Sequence, residues 1–456
     1  MTDNNKYLRK IPSVDEILNN SDVSNKLETL NKESVYRIID ICVEETKKTI
    51  LEGKKNNIRE LIFKKINHLI DLINEESPKV IINGTGVILH TNLGRSPISN
   101  NAIKSVSDIS INYSSLEIST KDGKRGDRNK ILSKYLNLSI GSEHGFLVNN
   151  NASGTLLTLA TIINKTRNEV IVSRGEAVEI GGGFRIPDIM KISGAKLIEV
   201  GTTNKTYPSD YEKAITKKTA GILKVHTSNF VIKGFVYSTG IKDLSEISKK
   251  FNIPLIHDIG SGCLVDTTKF GLPKEPMVQE SISSGVDITL FSSDKLLGAT
   301  QGGIVAGKRN LVRKIETHPL ARAFRADKMT LTSTISTLRS YIKNSYVEEI
   351  PIWQIISQKI DKIEHRAKKI CRKSNVGKIT DGNSLIGGGS MPEALLPTKM
   401  IMINTAEHEN EIKTKLMKSS PSVLPRVSEG SIFIDIRTVL EKHDEKLIEI
   451  LKNLSK

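Results

Sequence analysis

Lys295 occupies a position in the sequence where its side-chain amine could take part in a reaction. It follows the short apolar run Asp287–Phe291 and is separated from it by Ser292, Ser293 and Asp294. A lysine just beyond a strand end, in a turn of small residues, can form a Schiff base with a carbonyl group. The alternative for an isolated lysine is an ordinary surface position, so the interpretation depends on what accompanies it.

Asp258 is the first companion. It ends the apolar segment Pro254–Asp258, and a carboxylate at the end of a buried strand is costly unless a cation pairs with it. The protonated ring nitrogen of pyridoxal phosphate is such a cation. The interval between Asp258 and Lys295 has room for one helix and one strand. The alternative is an aspartate that caps a helix or forms a turn.

The second companion is a polar loop that opens a helix. The sequence Val148-Asn-Asn-Asn-Ala-Ser-Gly-Thr155 places Ser153, Gly154 and Thr155 at the helix N-terminus. Backbone N–H groups and hydroxyls there can hold a phosphate, although simple capping is the alternative. Phosphate loop, carboxylate and lysine follow one another in the order used by the fold-type I, aspartate-aminotransferase-like enzymes. The sequence therefore predicts that fold class and pyridoxal 5'-phosphate as cofactor.

The elements that position these residues are strands alternating with helices between about residues 80 and 310. This alternation predicts an α/β fold with a mostly parallel central sheet covered on both faces. Ligands bind at the carboxyl edge of such sheets, where glycine-rich turns occur here. The predicted strands are Gly145–Val148, Val170–Ser173, Lys196–Val200, Gly221–His226, Pro254–Asp258, Asp287–Phe291 and Gly302–Ala306.

Three domains are predicted. Residues 1–75 form a helical N-terminal domain and linker, because apolar residues recur there at helical spacing. Residues 76–330 form the large catalytic domain, and residues 331–456 form a smaller α+β domain. The predicted elements of this last domain are a long helical stretch at Thr330–Lys373, strands near Lys399–Asn404 and at Ser431–Ile436, and a final helix.

Composition limits the class of protein. The 456 residues carry 67 basic and 51 acidic side chains, a net charge of +16 that indicates polyanionic partners. No apolar run could span a membrane, and the N-terminus lacks a secretory apolar segment. Three widely spaced cysteines argue against a disulfide framework and fit the cytoplasm. No cluster of ligand-type residues predicts a metal site.

The charge is unevenly distributed. Residues 1–75 hold 13 basic and 13 acidic residues, whereas residues 308–378 hold 17 basic and 6 acidic residues. A solvated helix face and a surface for phosphates are both open interpretations of the second segment.

Long contiguous motifs run through the whole chain. They are Leu8–Asp15, Ile82–Arg95, Ser173–Gly182, Val200–Asn204, His226–Asn229, Phe291–Gly298, His318–Lys328, Gly387–Ser390, Ser419–Pro421 and Asp435–Thr438. Through these motifs the chain resembles the bacterial selenocysteine synthases, the family of L-seryl-tRNA(Sec) selenium transferases.

The resemblance implies a transferase that converts serine esterified to selenocysteine tRNA. The serine amine displaces Lys295 from the cofactor, Lys295 acts as base at Cα, and loss of the hydroxyl leaves an aminoacrylyl-tRNA. Selenophosphate, supplied by selenophosphate synthetase, then delivers selenium. The resemblance also implies a cytoplasmic homo-oligomer, a ring of dimers such as a decamer, whose N-terminal domain binds the tRNA.

Site residues follow from the same resemblance. Arg95, Arg322 and Arg325 are implied to hold selenophosphate, because guanidinium groups suit a tetrahedral anion; structural ion pairing is the alternative. Asp294 is predicted to assist proton transfer and Arg174 to face the ring or the seryl group. The residues predicted to bind the cofactor are Lys295, Asp258, Ser153, Gly154, Thr155, Ser228, Asn229 and Ser292.

Two other function classes compete. A pyridoxal-phosphate enzyme for a free amino acid would not need the N-terminal helical domain. A non-catalytic RNA-binding protein with a degenerate core would not need Lys295 and Asp258, which are both intact. The neutral charge of residues 1–75 is unusual for a tRNA-binding domain. Three explanations are open: basic residues gathered on one helix face, recognition by shape, or phosphate contacts from the basic segment 308–378 of the same or a neighbouring subunit.

Overall fold

The computed structural model describes residues 4–28, 30–54, 57–74, 77–181, 183–404 and 408–454. The chain divides into two units, Met1–Val80 and Ile81–Lys456, each with its own apolar core. Among the described residues, no helix is both long and apolar enough to cross a lipid bilayer.

The first unit is helical in the part that the structure describes. The apolar residues of its two long helices recur every three or four positions, so each helix buries one stripe. Ile62, Ile66 and Ile70 are fully buried in one cluster with Ile39 and Cys42. The helices are α1 (Asn4–Leu8), α2 (Val14–Leu18), α3 (Ser21–Leu27), α4 (Lys32–Leu51) and α5 (Ile58–Asn74).

The second unit contains the strands. They are β1 (Ile81–Gly84), β2 (His144–Val148), β3 (Glu169–Ser173), β4 (Glu179–Ile180), β5 (Phe184–Arg185), β6 (Lys196–Val200), β7 (Lys205–Thr206), β8 (Thr219–Val225), β9 (Tyr237–Ser238), β10 (Leu255–Gly260), β11 (Ile288–Ser292), β12 (Gly303–Gly307), β13 (Lys378–Leu385), β14 (Leu395–Asn404), β15 (Ser422–Ser428) and β16 (Ser431–Asp435).

Helices connect these strands. They are α6 (Asn100–Ser110), α7 (Lys130–Ile140), α8 (Asn151–Ile162), α9 (Ile186–Ser193), α10 (Pro208–Ala214), α11 (Ile241–Phe251), α12 (Val278–Ser283), α13 (Arg309–Glu316), α14 (Lys328–Ile342), α15 (Tyr346–Glu349), α16 (Pro351–Ser357), α17 (Ile360–Ser374), α18 (Glu409–Lys418) and α19 (Asp444–Lys452).

A seven-stranded sheet in the order β2-β12-β11-β10-β8-β3-β6 forms the centre of this unit. β12 alone runs in the opposite direction to the other six strands, so the predicted mostly parallel sheet is confirmed. All seven predicted strands lie in it. β10 and β11 are buried along their whole length, which explains why they read as continuous apolar runs rather than as alternating ones.

A second, five-stranded sheet has the order β1-β15-β16-β14-β13. β1, from the range predicted as catalytic domain, pairs in parallel with β15, and the remaining pairs are antiparallel. β1, β13 and β15 were not predicted from the sequence. β13 carries little strand signal because most of its residues are polar and only partly buried.

The prediction of one long helix at Thr330–Lys373 is wrong. Four helices, α14 to α17, occupy this stretch. Asn344 has a left-handed backbone with φ of 56°, which ends α14, and Pro351 begins α16 because proline fits the first turn of a helix. Periodicity alone does not detect these breaks, since apolar residues continue at helical spacing on both sides.

Candidate active site

Asp258 and Lys295 lie at the carboxyl edge of two adjacent parallel strands. Asp258 is near the end of β10, and Lys295 follows β11 by three residues. Their side chains are buried, with relative exposures of 3% and 4%. Two opposite charges buried in one place need polar partners or a bound group to compensate for lost hydration.

The carboxylate of Asp258 receives hydrogen-bond donors from α8. Asn151 Nδ2 donates to Asp258 Oδ1 at 2.8 Å, and Thr155 Oγ1 lies 3.1 Å from Asp258 Oδ2. Burial nevertheless raises the pKa of Asp258 above its usual value. The Oδ1 atom of Asn151 is buried and accepts no hydrogen bond from any described residue. A group with a buried N–H would complete this arrangement.

The amine of Lys295 is poised to react as a neutral nucleophile. Burial, and then the nearby Arg95 guanidinium, lower the pKa of Lys295 to about 8. Gly260 has a left-handed φ of 68°, and a Cβ atom built on it would lie 3.8 Å from Lys295 Nζ and 3.4 Å from Ser228 Oγ. The buried Ser228 hydroxyl and the lysine amine therefore both lie near Gly260.

Arg95 and Asp294 form an ion pair next to the lysine. Arg95 Nη1 lies 2.8 Å from Asp294 Oδ2, and the Asp294 side chain is almost fully buried. Arg95 reaches this position from a loop in which its own backbone has φ of 60°. Asp294 thus pairs with the guanidinium that lowers the pKa of Lys295, and its part in proton transfer stays a prediction.

Arg95, Asp294 and Lys295 line a cavity of about 420 Å³, a volume typical of small-molecule and cofactor sites, whereas Asp258 is not among its described lining residues. Three sides of it carry polar groups: the N-terminus of α8, the loop after β11, and the turn that holds Arg95. Ser292 lines it, as predicted for a cofactor contact. The lining residues are Thr91, Gly94, Arg95, Asn150, Asn151, Ala152, Gly181, Gly260, Ser292, Asp294, Lys295, Gln301 and Gly302.

The N-terminus of α8 presents different residues from those predicted. Ser153 N and Oγ bond to Asn150 and Asn149, and Gly154 packs on the sheet, where a Cβ atom would meet Val148 and Val305 at 3.4 Å. Neither these two residues nor Thr155 is among the described residues that line the cavity. The asparagines of the same loop line it instead. Their signal in the sequence was the run of three asparagines before the helix.

The residues present fit pyridoxal phosphate. Asp258 would face the ring nitrogen, Lys295 the aldehyde, and the α8 N-terminus with Ser292 the phosphate. Asn229, predicted to reach the ring oxygen, donates from Nδ2 to the Glu179 carbonyl at 2.7 Å, while its buried Oδ1 has no partner among the described residues. Asn151, whose Oδ1 is also orphaned, lines the cavity, whereas Ser228 and Asn229 are not among the described residues that line it.

Arg322 and Arg325 lie around a different cavity, of about 440 Å³, that shares no lining residue with the first. Arg125 and Arg128 also line it, and all four guanidinium groups belong to what we call the arginine cavity. A single carboxylate serves three of them: Glu117 Oε1 is 3.3 Å from Arg325 and 3.8 Å from Arg128, and its Oε2 is 3.6 Å from Arg125.

Other polar side chains near the strand ends form ion pairs with each other. Exposed Arg174 lies 3.4 Å from Glu199 and lines neither cavity among the described residues. Buried Glu176 pairs with Lys224. Burial lowers the pKa of His257 to about 3, so this imidazole is neutral at physiological pH.

Comparison with solved structures establishes the fold. The structure of D-glucosaminate-6-phosphate ammonia-lyase matches with a TM-score of 0.60 and 17% identity, covering 85% of this chain and 98% of that chain. The chain has the fold-type I architecture that the sequence predicts.

Comparison with known sequences identifies the family. L-seryl-tRNA(Sec) selenium transferase from Alkaliphilus metalliredigens (strain QYMF) is 40% identical over 99% of both chains. The same enzyme from Carboxydothermus hydrogenoformans is 42% identical over 96% of this chain and 95% of its own. The profile of the family described as L-seryl-tRNA selenium transferase matches residues 81–440. The chain therefore belongs to the family of L-seryl-tRNA(Sec) selenium transferases.

Proposed function

We propose that this enzyme exchanges the β-hydroxyl oxygen of serine on tRNA(Sec) for selenium, with selenophosphate as donor and phosphate as the other product. Family membership supports the reaction class. The observation that carries the proposal within the chain is the buried pair of Asp258 and Lys295 at adjacent strand ends.

Pyridoxal phosphate is the cofactor, and when bound it supplies the electron sink that makes the Cα proton of serine acidic and allows the β-hydroxyl to leave. Lys295 takes the Cα proton, a role that suits an amine whose pKa lies near 8. Asp258 keeps a proton on the ring nitrogen. Arg95, held by Asp294, contributes a positive charge close to the position where the hydroxyl leaves.

The arginine cavity is proposed to hold selenophosphate. Four guanidinium groups around one cavity are suited to a tetrahedral dianion, which they can bind through paired N–H donors. Within one chain this cavity is distinct from that of Lys295, so we propose that Arg322 and Arg325 serve the lysine site of a neighbouring subunit. Such a site requires a homo-oligomer built from dimers, and a decameric ring satisfies this requirement.

The tRNA is proposed to bind through the N-terminal helical domain, with phosphate contacts from the basic segment 308–378. We propose that the enzyme acts in the cytoplasm, where charged tRNA is present and where selenophosphate synthetase supplies the donor. Deleting residues 1–75 should abolish tRNA binding and leave cofactor binding intact. Full tRNA affinity in the deleted protein would remove the domain from recognition.

A conversion assay tests the function. The purified protein receives seryl-tRNA(Sec) with selenophosphate and, in parallel, free L-serine and other free amino acids. Selenocysteinyl-tRNA formed only from the tRNA substrate is the expected result. Conversion of a free amino acid instead would favour the rival assignment, a lyase or transferase without a tRNA role. Arg322→Ala should still eliminate the serine hydroxyl but fail to add selenium, and normal selenium transfer would exclude Arg322 from the site.

A further inference from the structure

The glycine loop Gly387–Gly389 lies over the amine of Lys295. A Cβ atom built on Gly389 would be 3.0 Å from Lys295 Nζ and 3.1 Å from Cε, closer than ordinary van der Waals contact. Gly389 also has a left-handed φ of 85°, which disfavours any residue with a side chain. The backbone of Gly389 thus forms one wall of the space around the lysine amine.

The loop is fixed in place from both ends. Leu89 N donates to the Ile386 carbonyl at 2.7 Å, and Ile386 N donates to the Ala394 carbonyl at 3.3 Å. Ile386 is fully buried, and within the loop Ser390 N donates to the Gly387 carbonyl. Because the loop is anchored, a side chain added at Gly389 would displace the lysine rather than the loop.

Lys295 itself is not anchored. Its Nζ atom makes no hydrogen bond or ion pair with any residue that the structure describes, although the side chain is buried. The backbones of Gly260 and Gly389 both lie close to the amine. A buried lysine without a partner can move as far as its walls allow.

We propose that Gly389 is a positioning residue for Lys295, whose missing side chain leaves the lysine amine room to move aside when the amine of the substrate takes its place. The inference rests on the proposed function, in which Lys295 must first hold the cofactor and then withdraw to act as a base. Gly389 does this by bordering the lysine amine and contributes no group to the reaction.

The three glycines provide a matched series. Gly389→Ala adds a methyl group against the lysine. Gly388→Ala is the neutral control, because its Cβ atom would meet only Thr91 Oγ1, at 4.0 Å. Gly387→Ala controls for distortion of the loop, since the three atoms nearest its Cβ would belong to Leu89 and Val87, with the Leu89 carbonyl oxygen at 2.7 Å.

The first readout uses the cofactor-free protein. Trinitrobenzenesulfonate labels neutral amines, and labelling of Lys295 against pH gives a midpoint and a plateau rate. In Gly389→Ala we expect a lower midpoint, because the methyl group excludes more water, and a plateau about tenfold lower through crowding. A loop that merely loosened would do the opposite: Lys295 would become exposed, its midpoint would rise and its labelling would accelerate. That result would overturn the proposal.

The second readout follows cofactor release by absorbance after hydroxylamine is added to the loaded protein. The release rate should fall about tenfold in Gly389→Ala and stay unchanged in Gly388→Ala. Wild-type release from Gly389→Ala would contradict the proposal. Neither readout needs tRNA or selenophosphate. A failure of the proposed function would appear as no selenium transfer by the wild type, and it is therefore distinguishable from a failure of the inference about Gly389.

Gly389→Asn serves if the alanine variant does not fold, because asparagine tolerates a left-handed backbone better than alanine does. It should slow labelling and release at least as much. Failure of both variants to fold would assign Gly389 a structural role and overturn the proposal.

Discussion

Asp258 and Lys295 are both buried, yet the chain treats their charges differently. Asp258 receives side-chain donors from Asn151 and Thr155, whereas Lys295 receives none from the described residues. Burial raises the pKa of Asp258 and lowers that of Lys295, so each group is biased toward its neutral form. A ligand that brings both an N–H group and an aldehyde stabilises the first in its charged form and reacts with the second in its neutral form.

Arg95 should set the pH at which Lys295 captures pyridoxal phosphate. Only the neutral amine reacts, so capture by the cofactor-free protein should increase with pH and level off above a midpoint of about 8. Arg95→Gln removes a cation that lowers the pKa of Lys295 and leaves Asp294 unpaired, and both changes raise the midpoint. Absorbance stopped-flow across pH measures it. Arg174→Gln, at an exposed arginine outside the cavity, is the control; a midpoint that does not rise in Arg95→Gln would contradict this account.

Glu117 should weaken anion binding in the arginine cavity, because its carboxylate occupies three guanidinium groups that an anion would use. Glu117→Gln removes the competing charge and should tighten the binding of inorganic thiophosphate several-fold, measured by calorimetry. Glu212→Gln, which removes an exposed carboxylate paired with Lys250, is the charge-matched control. Equal or weaker binding by Glu117→Gln would show that Glu117 supports the cavity instead.

At the level of single residues, the sequence predicted the reactive pair better than its surroundings. Asp258 and Lys295 follow strands whose continuous apolar runs are easy to recognise. At the start of α8 the prediction selected Ser153, Gly154 and Thr155, but the cavity is lined by the preceding residues. Which turn of a helix N-terminus faces a cavity depends on the N-cap, here Asn150, and on how the helix packs on the sheet.

At the level of elements, α17 and α19 are joined by a buried ion pair. Arg366 Nη2 lies 2.7 Å from Asp444 Oδ1 and Nε lies 3.0 Å from Oδ2, while the same guanidinium donates to the carbonyls of Ile436 and Val439. Both residues are less than a tenth exposed. This bidentate contact joins the last helix to α17, and the carbonyl bonds join α17 to the segment after β16.

Asp444→Asn should therefore lower the free energy of unfolding by about 3 kcal/mol, because it leaves a buried guanidinium without its counter-charge. Glu445→Gln, at the next position but in an exposed pair with Lys369, should leave it nearly unchanged, because solvent screens the pair. Urea unfolding monitored by the fluorescence of Trp353 compares the two. A small effect of Asp444→Asn would mean that the backbone carbonyls alone hold Arg366.

Among the elements, the central sheet was predictable and the C-terminal region less so. Strands buried on both faces have a clear signal in a single sequence, whereas β13 is polar and its place depends on β14 beside it. The breaks between α14 and α17 depend on single residues such as Asn344 rather than on periodicity.

At the level of the whole molecule, the question is whether one chain supplies all the residues of a complete site. The lysine cavity and the arginine cavity belong to one chain but have no lining residue in common. Arg322 and Arg325 are predicted from the sequence to act together with Lys295. A resemblance to a family implies the role of each residue, but it does not indicate which copy of the chain supplies that residue to a given site.

Mixing two inactive proteins tests whether the sites are shared between subunits. Lys295→Ala lacks the reactive amine and Arg322→Ala lacks a guanidinium of the arginine cavity. When dissociated subunits of both are mixed and reassembled, some sites combine an intact Lys295 with an intact Arg322 from the other chain, and selenium transfer should return. Each variant reassembled alone is the control. No recovery, with mixed oligomers confirmed by native mass spectrometry, would place all residues of a site in one chain.

The pairing of β1 with β15 has a consequence for how the protein is made. β1 leaves the ribosome early, but its partner, with Ser422 opposite Ile81, is synthesised hundreds of residues later. Contacts so distant along the chain form slowly and cannot form before the partner exists. A nascent chain that ends before β15 therefore holds Lys295 without the completed five-stranded sheet. Acquisition of the cofactor in its final environment is accordingly an event that follows translation, and ribosome-bound chains that end before β15 should not retain it.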